Sequence, residues 1–221
     1  MKGIVFSFKK PHPSANRPRF RLPEITRTVR KNGVTLLFVT VLLTGLALGA
    51  AYAQGADDGM LQSLDFLFTT NLDARLGKGA FGIFSACFAS DFIFITAVYL
   101  FGLAPWGLPF QLFTAVFKGF GTGLTAAYLI LKNGMNGLGF YLLVLLPGTF
   151  LFCVALATYS AVALDFSVRQ FKLLLSKEAA EAAMRESFLR YSSRFVSALI
   201  MIFCAALLDT VLWTLFAKAF W

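Results

Sequence analysis

The sequence predicts an all-α, polytopic integral membrane protein, a bundle of about five transmembrane helices. Hydrophobic residues make up 58% of the 221-residue chain and charged residues only 14%, whereas a typical soluble domain is about half apolar and a quarter charged. Apolar stretches of about 20 residues, the length that crosses a ~30 Å hydrocarbon core, recur along the chain. The basic residues lie mainly in two segments outside these stretches, as expected for cytoplasmic parts of a membrane protein.

The five predicted spans differ in their polar content. The first contains no charge, the second carries Asp91, the third Lys118 and the fifth Asp209, while Pro147 interrupts the fourth. The spans cover residues 34–53, 81–104, 107–131, 138–164 and 195–216. A basic, proline-containing arm (1–33) precedes this membrane domain (34–221), in which an outer segment (54–80) and an inner helical segment (165–194) connect spans.

The distribution of lysine and arginine predicts the orientation. Residues 1–33 hold nine basic residues against one acid, and residues 165–194 hold six more, together fifteen of the twenty in the chain. Segment 54–80 is acidic, with four aspartates against two basic residues. Because positively charged segments stay on the cytoplasmic side, we predict a cytoplasmic N-terminus and an external C-terminus. The same charges attract anionic lipid head groups, and no nucleic-acid partner is expected.

The first span has an alternative interpretation as a cleaved signal peptide. Residues 51–54, AYAQ, resemble a small-x-small cleavage site that would be cut after Ala53. The long basic leader and the apolar run of about 20 residues exceed the usual signal peptide, whose apolar region has about 7 to 15 residues. A retained anchor is therefore favoured, and cleavage would leave four spans.

The outer segment contains one amphipathic pattern. Leu61, Leu64, Phe68 and Leu72 recur at helical spacing, which predicts a short helix in the membrane interface. This apolar face either covers the membrane surface or docks an external partner.

No constellation of catalytic, metal-binding or cofactor-binding residues is visible. His12, the one histidine of the chain, lies in the N-terminal arm, so a single chain assembles neither a histidine-centred metal site nor a Ser-His-Asp relay. Cys87, Cys153 and Cys204 lie within spans without CxxC spacing. The chain is therefore not expected to be an enzyme or to hold a cofactor or metal.

Three ionisable residues, Asp91, Lys118 and Asp209, lie at membrane depth on different spans. A charge near the bilayer centre costs about 2.5–3.5 kcal/mol on insertion scales, so each is expected to face protein or water and to have a partner. Asp91 is the first candidate partner for Lys118, because consecutive elements are usually neighbours. The residues alone leave an interhelical ion pair, an ion or proton path and a partner contact open.

Glycines surround the intramembrane lysine in the sequence KGFGTG (118–123). Gly119 and Gly123 are four residues apart, as are Gly45 and Gly49 in the first span, and this spacing lets helix backbones approach closely in lipid. Gly121, together with the nearby prolines and Pro147, predicts that the third and fourth spans are bent or partly re-entrant. The stretch is interpreted as a buried helix crossing.

The order of several short motifs resembles the stage II sporulation protein M family. These motifs are GLP at 107–109, FKGFGTG at 117–123, KNGMNG at 132–137 and LLP at 145–147. The resemblance covers roughly residues 30–221 and includes the basic N-terminus, first span and outer loop. In this chain Gly148 and Thr149 follow Pro147, where some family members have a histidine and later a glutamate.

The resemblance implies a non-catalytic membrane anchor or scaffold that recruits cell-wall hydrolases to the septal membrane of a sporulating bacterium. The implied partners are an amidase/endopeptidase and a lytic transglycosylase, which remodel peptidoglycan during forespore engulfment. The outer segment would then be the docking surface. Membrane lipids are further expected partners, and a homo-oligomer is left open. The alternative function is a small transporter or channel that uses Asp91, Lys118 and Asp209.

Overall fold

The residues that the structure describes are almost entirely helical. A computed structural model describes residues 24–56, 78–176 and 181–220, and no strand occurs among them. The helices are α1 (Glu24–Ala53), α2 (Ala80–Gly102), α3 (Leu108–Phe140), α4 (Leu146–Ser176) and α5 (Glu181–Phe220), and a π-helical segment (Tyr141–Leu145) joins α3 to α4. The predicted all-α class is confirmed.

Among the described residues, four helical stretches are long and apolar enough to cross a membrane. They are Gly33–Ala53, Ala80–Gly102, Leu108–Leu174 and Met184–Ala217. Large apolar side chains such as Leu48, Ile93 and Phe113 are exposed on the outside of the helices, a surface that suits lipid rather than water. These features confirm the predicted helical membrane bundle.

The longest of these stretches, Leu108–Leu174, reverses direction at Gly134. This glycine has φ 56° and ψ −131°, a conformation that residues with a side chain rarely adopt. After the turn, Gly137 lies directly against the carbonyl oxygen of Leu129, and Thr125 and Tyr141 face the same cavity. The KNGMNG motif is therefore the turn of an antiparallel helical hairpin.

Neighbouring helices along the chain run in opposite directions. Aromatic contacts fix this arrangement along the α2–α3 and α4–α5 interfaces: Phe101–Phe110, Phe94–Phe117, Phe166–Phe188 and, from the end of α3, Phe140–Trp213. The larger core cluster joins α2, α4 and α5 with part of α1 and α3. The inward face of α2 has buried residues at intervals of three or four, which is the period of one helix face.

Helices α1 and α3 cross in parallel through reciprocal glycine contacts. A Cβ atom on Gly45 or Gly49 would overlap the carbonyl oxygens of Val116 or Phe120 on α3, respectively. Conversely, a Cβ on Gly119 or Gly123 would overlap the carbonyl oxygens of Leu42 or Leu46 on α1. The two GxxxG motifs thus pack against each other.

The structure corrects the expected irregularity at Gly119–Gly123. Helix α3 is regular through these residues, and its one non-helical residue is Gly134. Gly119 and Gly123 leave room for the backbone of α1, which lies too close for a side chain at either position. This role does not require them to break the helix. The irregularity expected around Pro147 lies just before it: Leu146 donates to the carbonyl of Tyr141 in a π-helical turn, which accommodates a proline without an N–H group.

Two helices extend beyond the predicted spans. Helix α4 continues to Ser176, within the segment 165–194 that the sequence predicts to be helical, and helix α1 begins at Glu24 rather than near residue 34. Hydropathy marks only the part of a helix that lies in the membrane, so it did not indicate the polar start of α1. Residues 1–23 of the N-terminal arm lie outside the described residues.

Alanine at Gly49 or Gly123 is expected to destabilise the bundle. Each new methyl group would push α1 away from α3, and overpacking of this kind costs about 1–3 kcal/mol. The apparent free energy of unfolding in a mixed-micelle denaturant titration measures the effect. Gly33→Ala is the matched control, because nothing lies within 4 Å of a Cβ at that position of α1; equal stability of all three variants would contradict the crossing.

Candidate functional site

Lys118 and Asp91 form an ion pair between α3 and α2. The Lys118 ammonium donates to Oδ1 of Asp91 at 3.0 Å. The two side chains are only 14% and 10% exposed, so this ion pair is largely buried inside the helix bundle. The structure thus pairs Lys118 with the acid on the preceding predicted span. Neutralisation of each charge by the other lowers the cost of placing both within the bundle.

Two aromatic rings surround the same ammonium group. Lys118 Nζ lies 4.8 Å from the ring centroid of Phe94 on α2 and 4.5 Å from that of Phe152 on α4. The rings themselves contact each other edge-on, with centroids 6.5 Å apart. Cation–π attraction is strongest where water is excluded. The lysine therefore ties α3 to both α2 and α4 from a single position.

A small polar cavity lies beside the ion pair. Its volume is about 60 Å³, enough for a small number of water molecules. The lining comes from α3 on one side and from the π-helical segment and α4 on the other: Lys118, Gly121, Thr122, Thr125, Tyr141, Leu145 and Thr149. The cavity therefore lies inside the α3–α4 hairpin.

The three threonines of this cavity donate their hydroxyl protons within their own helices. Thr122 donates to the carbonyl of Lys118, Thr125 to that of Gly121 and Thr149 to that of Leu145. These bonds satisfy the hydroxyl donors without a partner from another helix.

Gly148, the residue after Pro147, lies against Asp209 at the interface of α4 with α5. A Cβ on Gly148 would overlap the carboxylate of Asp209, so glycine after Pro147 leaves room for this acid. Thr149, the next residue, lines the cavity beside Lys118. The structure thus brings Asp91 and Lys118 together and places Asp209 against Gly148 of α4.

Other sequence-predicted residues are less informative. The predicted docking residues Leu61, Leu64, Phe68 and Leu72 lie outside the described residues, as does His12. Across the described ranges, no group of three or more His, Cys, Asp or Glu residues is arranged to hold a metal ion. Cys87, Cys153 and Cys204 form no disulfide within the described residues.

Sequence reasoning did not single out two buried polar features. Gln111, at the start of α3, is fully buried, and its side-chain amide makes no hydrogen bond with a described residue. Tyr191 of α5 stacks on Phe166, with centroids 4.5 Å apart, and donates its hydroxyl proton to the backbone carbonyl of Tyr99 at 2.8 Å. The sequence signal for Gln111 was a glutamine within the apolar run FQLF. The contacts of Tyr191 depend on helix packing and leave no signal in the sequence.

These features define a polytopic helical membrane protein whose interior contains a neutralised charge pair and a glycine-mediated helix crossing. A scan against protein-family models matches residues 34–212 to "Stage II sporulation protein M". The chain therefore belongs to the stage II sporulation protein M family, as its motifs predicted. Searches of curated proteins and of solved structures returned no match to the chain.

Removal of one partner of the ion pair should destabilise the bundle more than removal of both. Lys118→Met leaves Asp91 charged in a buried site, and breaking a buried pair in this way costs about 3–5 kcal/mol. Asp91→Leu combined with Lys118→Met removes both charges and should recover much of that loss. The apparent free energies of unfolding of the single and double variants in micelles measure this coupling.

The exposed pair Glu186–Arg190 provides the control for this cycle. Arg190 Nη2 lies 2.8 Å from Glu186 Oε1, but the side chains are 69% and 74% exposed. Glu186→Gln should therefore change stability by less than about 1 kcal/mol. Strictly additive losses at positions 91 and 118, or a loss for Lys118→Met as small as for Glu186→Gln, would contradict the assigned role of the pair.

Proposed function

We propose that the protein is a non-catalytic membrane scaffold of a peptidoglycan-remodelling assembly and acts during forespore engulfment. Its family membership makes it a sporulation-related membrane protein. Within that class, the scaffold would hold an amidase/endopeptidase and a lytic transglycosylase at the septal membrane. The outer segment, 54–80, supplies the docking surface in this proposal.

The observation that carries the proposal is the use of Lys118 inside the bundle. Its ammonium is engaged by Asp91 and by the rings of Phe94 and Phe152, which come from two different neighbouring helices. Such a set of contacts favours a fixed packing of α2, α3 and α4. A rigid bundle is the property that a scaffold needs in order to present an external segment at a constant position.

The arrangement of the acids gives less support to a transport path. A path for ions or protons would need ionisable groups along one continuous polar route. Here the cavity beside Lys118 measures about 60 Å³, and Asp209 lies against Gly148 at a separate interface. These two features favour a structural role for the charges over conduction.

Deletion of the gene in the native host tests the scaffold most directly. Starved cells stained with a membrane dye should build the polar septum and then stall before the larger compartment surrounds the smaller one. Wild-type protein should restore engulfment and should co-purify the two hydrolases from solubilised membranes. Normal engulfment in the deletion strain would contradict the proposal.

A variant pair separates docking from folding. Leu64→Glu with Phe68→Glu places charges on the predicted docking face, whereas Gln62→Glu with Thr69→Glu adds the same charge at polar positions of that segment. The first pair should abolish hydrolase capture at normal membrane abundance, and the second should retain it.

A flux assay in reconstituted vesicles tests the alternative function. An ion flux that Asp91→Asn abolishes without loss of assembly would support a transporter instead of a scaffold.

A further inference from the structure

A second cavity, of about 330 Å³, lies between α4 and α5. Its charged lining consists of Asp165 and Arg169 from α4 and Arg190 and Arg194 from α5. It shares no lining residue with the small cavity beside Lys118. The sequence assigned these arginines to the orientation of the protein and to a general attraction toward anionic lipid head groups. The cavity gives them a defined local site, which the proposed function does not use.

The floor of this cavity is formed by packed aromatic side chains. Phe166 and Tyr191 form part of the lining and are both buried, with their rings parallel within 4° and 4.5 Å apart. The Tyr191 hydroxyl is fixed by its hydrogen bond to Tyr99 of α2. The arginines around the rim therefore project from a packed three-helix base, which preorganises the site and reduces the entropy lost on binding.

The charges of the lining leave an excess of one positive charge. Arg190 donates to Glu186, so its charge is already matched. Arg169 and Arg194 then face the single carboxylate of Asp165, and neither arginine forms an ion pair within the part of the chain that the structure describes. One monoanionic group would balance this lining.

The position along the helices corresponds to a membrane interface. Ser167, adjacent to the cavity residue Phe166, donates to the carbonyl of Ala104 in the α2–α3 connection. Trp106 in this connection is 77% exposed, and exposed tryptophan is typical of the head-group level of a bilayer. The cavity is thus at the depth of lipid phosphates, on the side where the basic segments predict the cytoplasm.

Apolar side chains are exposed elsewhere on both helices, Val168 and Phe171 on α4 and Val196 and Ile200 on α5. They lie on other faces of the helices than the cavity-lining residues, as expected for helices surrounded by lipid. An anionic lipid in this surrounding layer would bring its phosphate to the arginines at the interface.

We propose that this cavity binds the head group of an anionic phospholipid that carries a polyol, with its acyl chains in the surrounding membrane. Arg169 and Arg194 donate to the phosphodiester oxygens, for which the planar guanidinium is well suited. Asp165 accepts a hydrogen bond from a head-group hydroxyl. The volume, near the lower end of the ~300–1,000 Å³ typical of small-molecule sites, suits a head group alone.

Lipid titrations of the full-length protein in mild detergent test the proposal. Native mass spectrometry would report the dissociation constants of phosphatidylglycerol, of zwitterionic phosphatidylethanolamine and of phosphatidylcholine. The variant combines Arg169→Gln with Arg194→Gln, and the matched control combines Lys172→Gln with Arg185→Gln. Both control residues are exposed on the same two helices outside the cavity, so both variants lose two positive charges.

The cavity variant should bind phosphatidylglycerol about tenfold more weakly or worse, because two charge-assisted hydrogen bonds are lost. The control should change by less than about threefold, as expected for exposed charges. Equal weakening in both variants would overturn the proposal, as would wild-type affinity for either zwitterionic lipid equal to that for phosphatidylglycerol. Displacement of the lipid by millimolar inorganic phosphate would assign the site to a soluble anion and would also overturn it.

Discussion

Lys118 imposes the main constraint on this bundle, because an ammonium group within an apolar helix must be matched by the surrounding protein. An isolated charge of this kind costs about 2.5–3.5 kcal/mol at the bilayer centre. Asp91 of α2 neutralises it, and the rings of Phe94 and Phe152 contact it from α2 and α4. A single side chain of α3 thereby contacts α2 and α4. These contacts restrict how each of the three helices can be rotated about its own axis.

The glycine crossing and the proline distortion are compatible with that constraint. Gly119 and Gly123 lie on the same helix as Lys118, but on the face of α3 that packs against α1. The backbones of α1 and α3 are in direct contact there. On the other side of α3, the π-helical turn before Pro147 lines the cavity beside the lysine. One helix therefore uses one face for backbone contact and another for polar contacts, which explains why lysine, glycine and threonine occur so close together in an apolar sequence.

The sequence was sufficient for the helical class and the family, because these follow from composition and motif order. Chain adjacency made Asp91 only the first candidate partner for Lys118, and the structure shows this pair. The sequence was insufficient for the conformation of α3: glycines that permit close packing and glycines that break a helix look alike, and only Gly134 takes a non-helical conformation. Helix α1 begins at Glu24 because polar residues extend a helix without a hydropathy signal. The cavity between Arg169 and Arg194 required the antiparallel packing of α4 and α5, which residue spacing alone does not define.

The central claim is that the buried charges stabilise the architecture and do not themselves carry out the activity. Complementation of the deletion strain with the double variant Asp91→Leu, Lys118→Met tests this claim most directly, with membrane abundance measured in the same cells. We predict that the uncharged pair supports engulfment to nearly the wild-type extent. A double variant that accumulates normally in the membrane but fails to restore engulfment would show that the charges are needed for activity and would contradict this account.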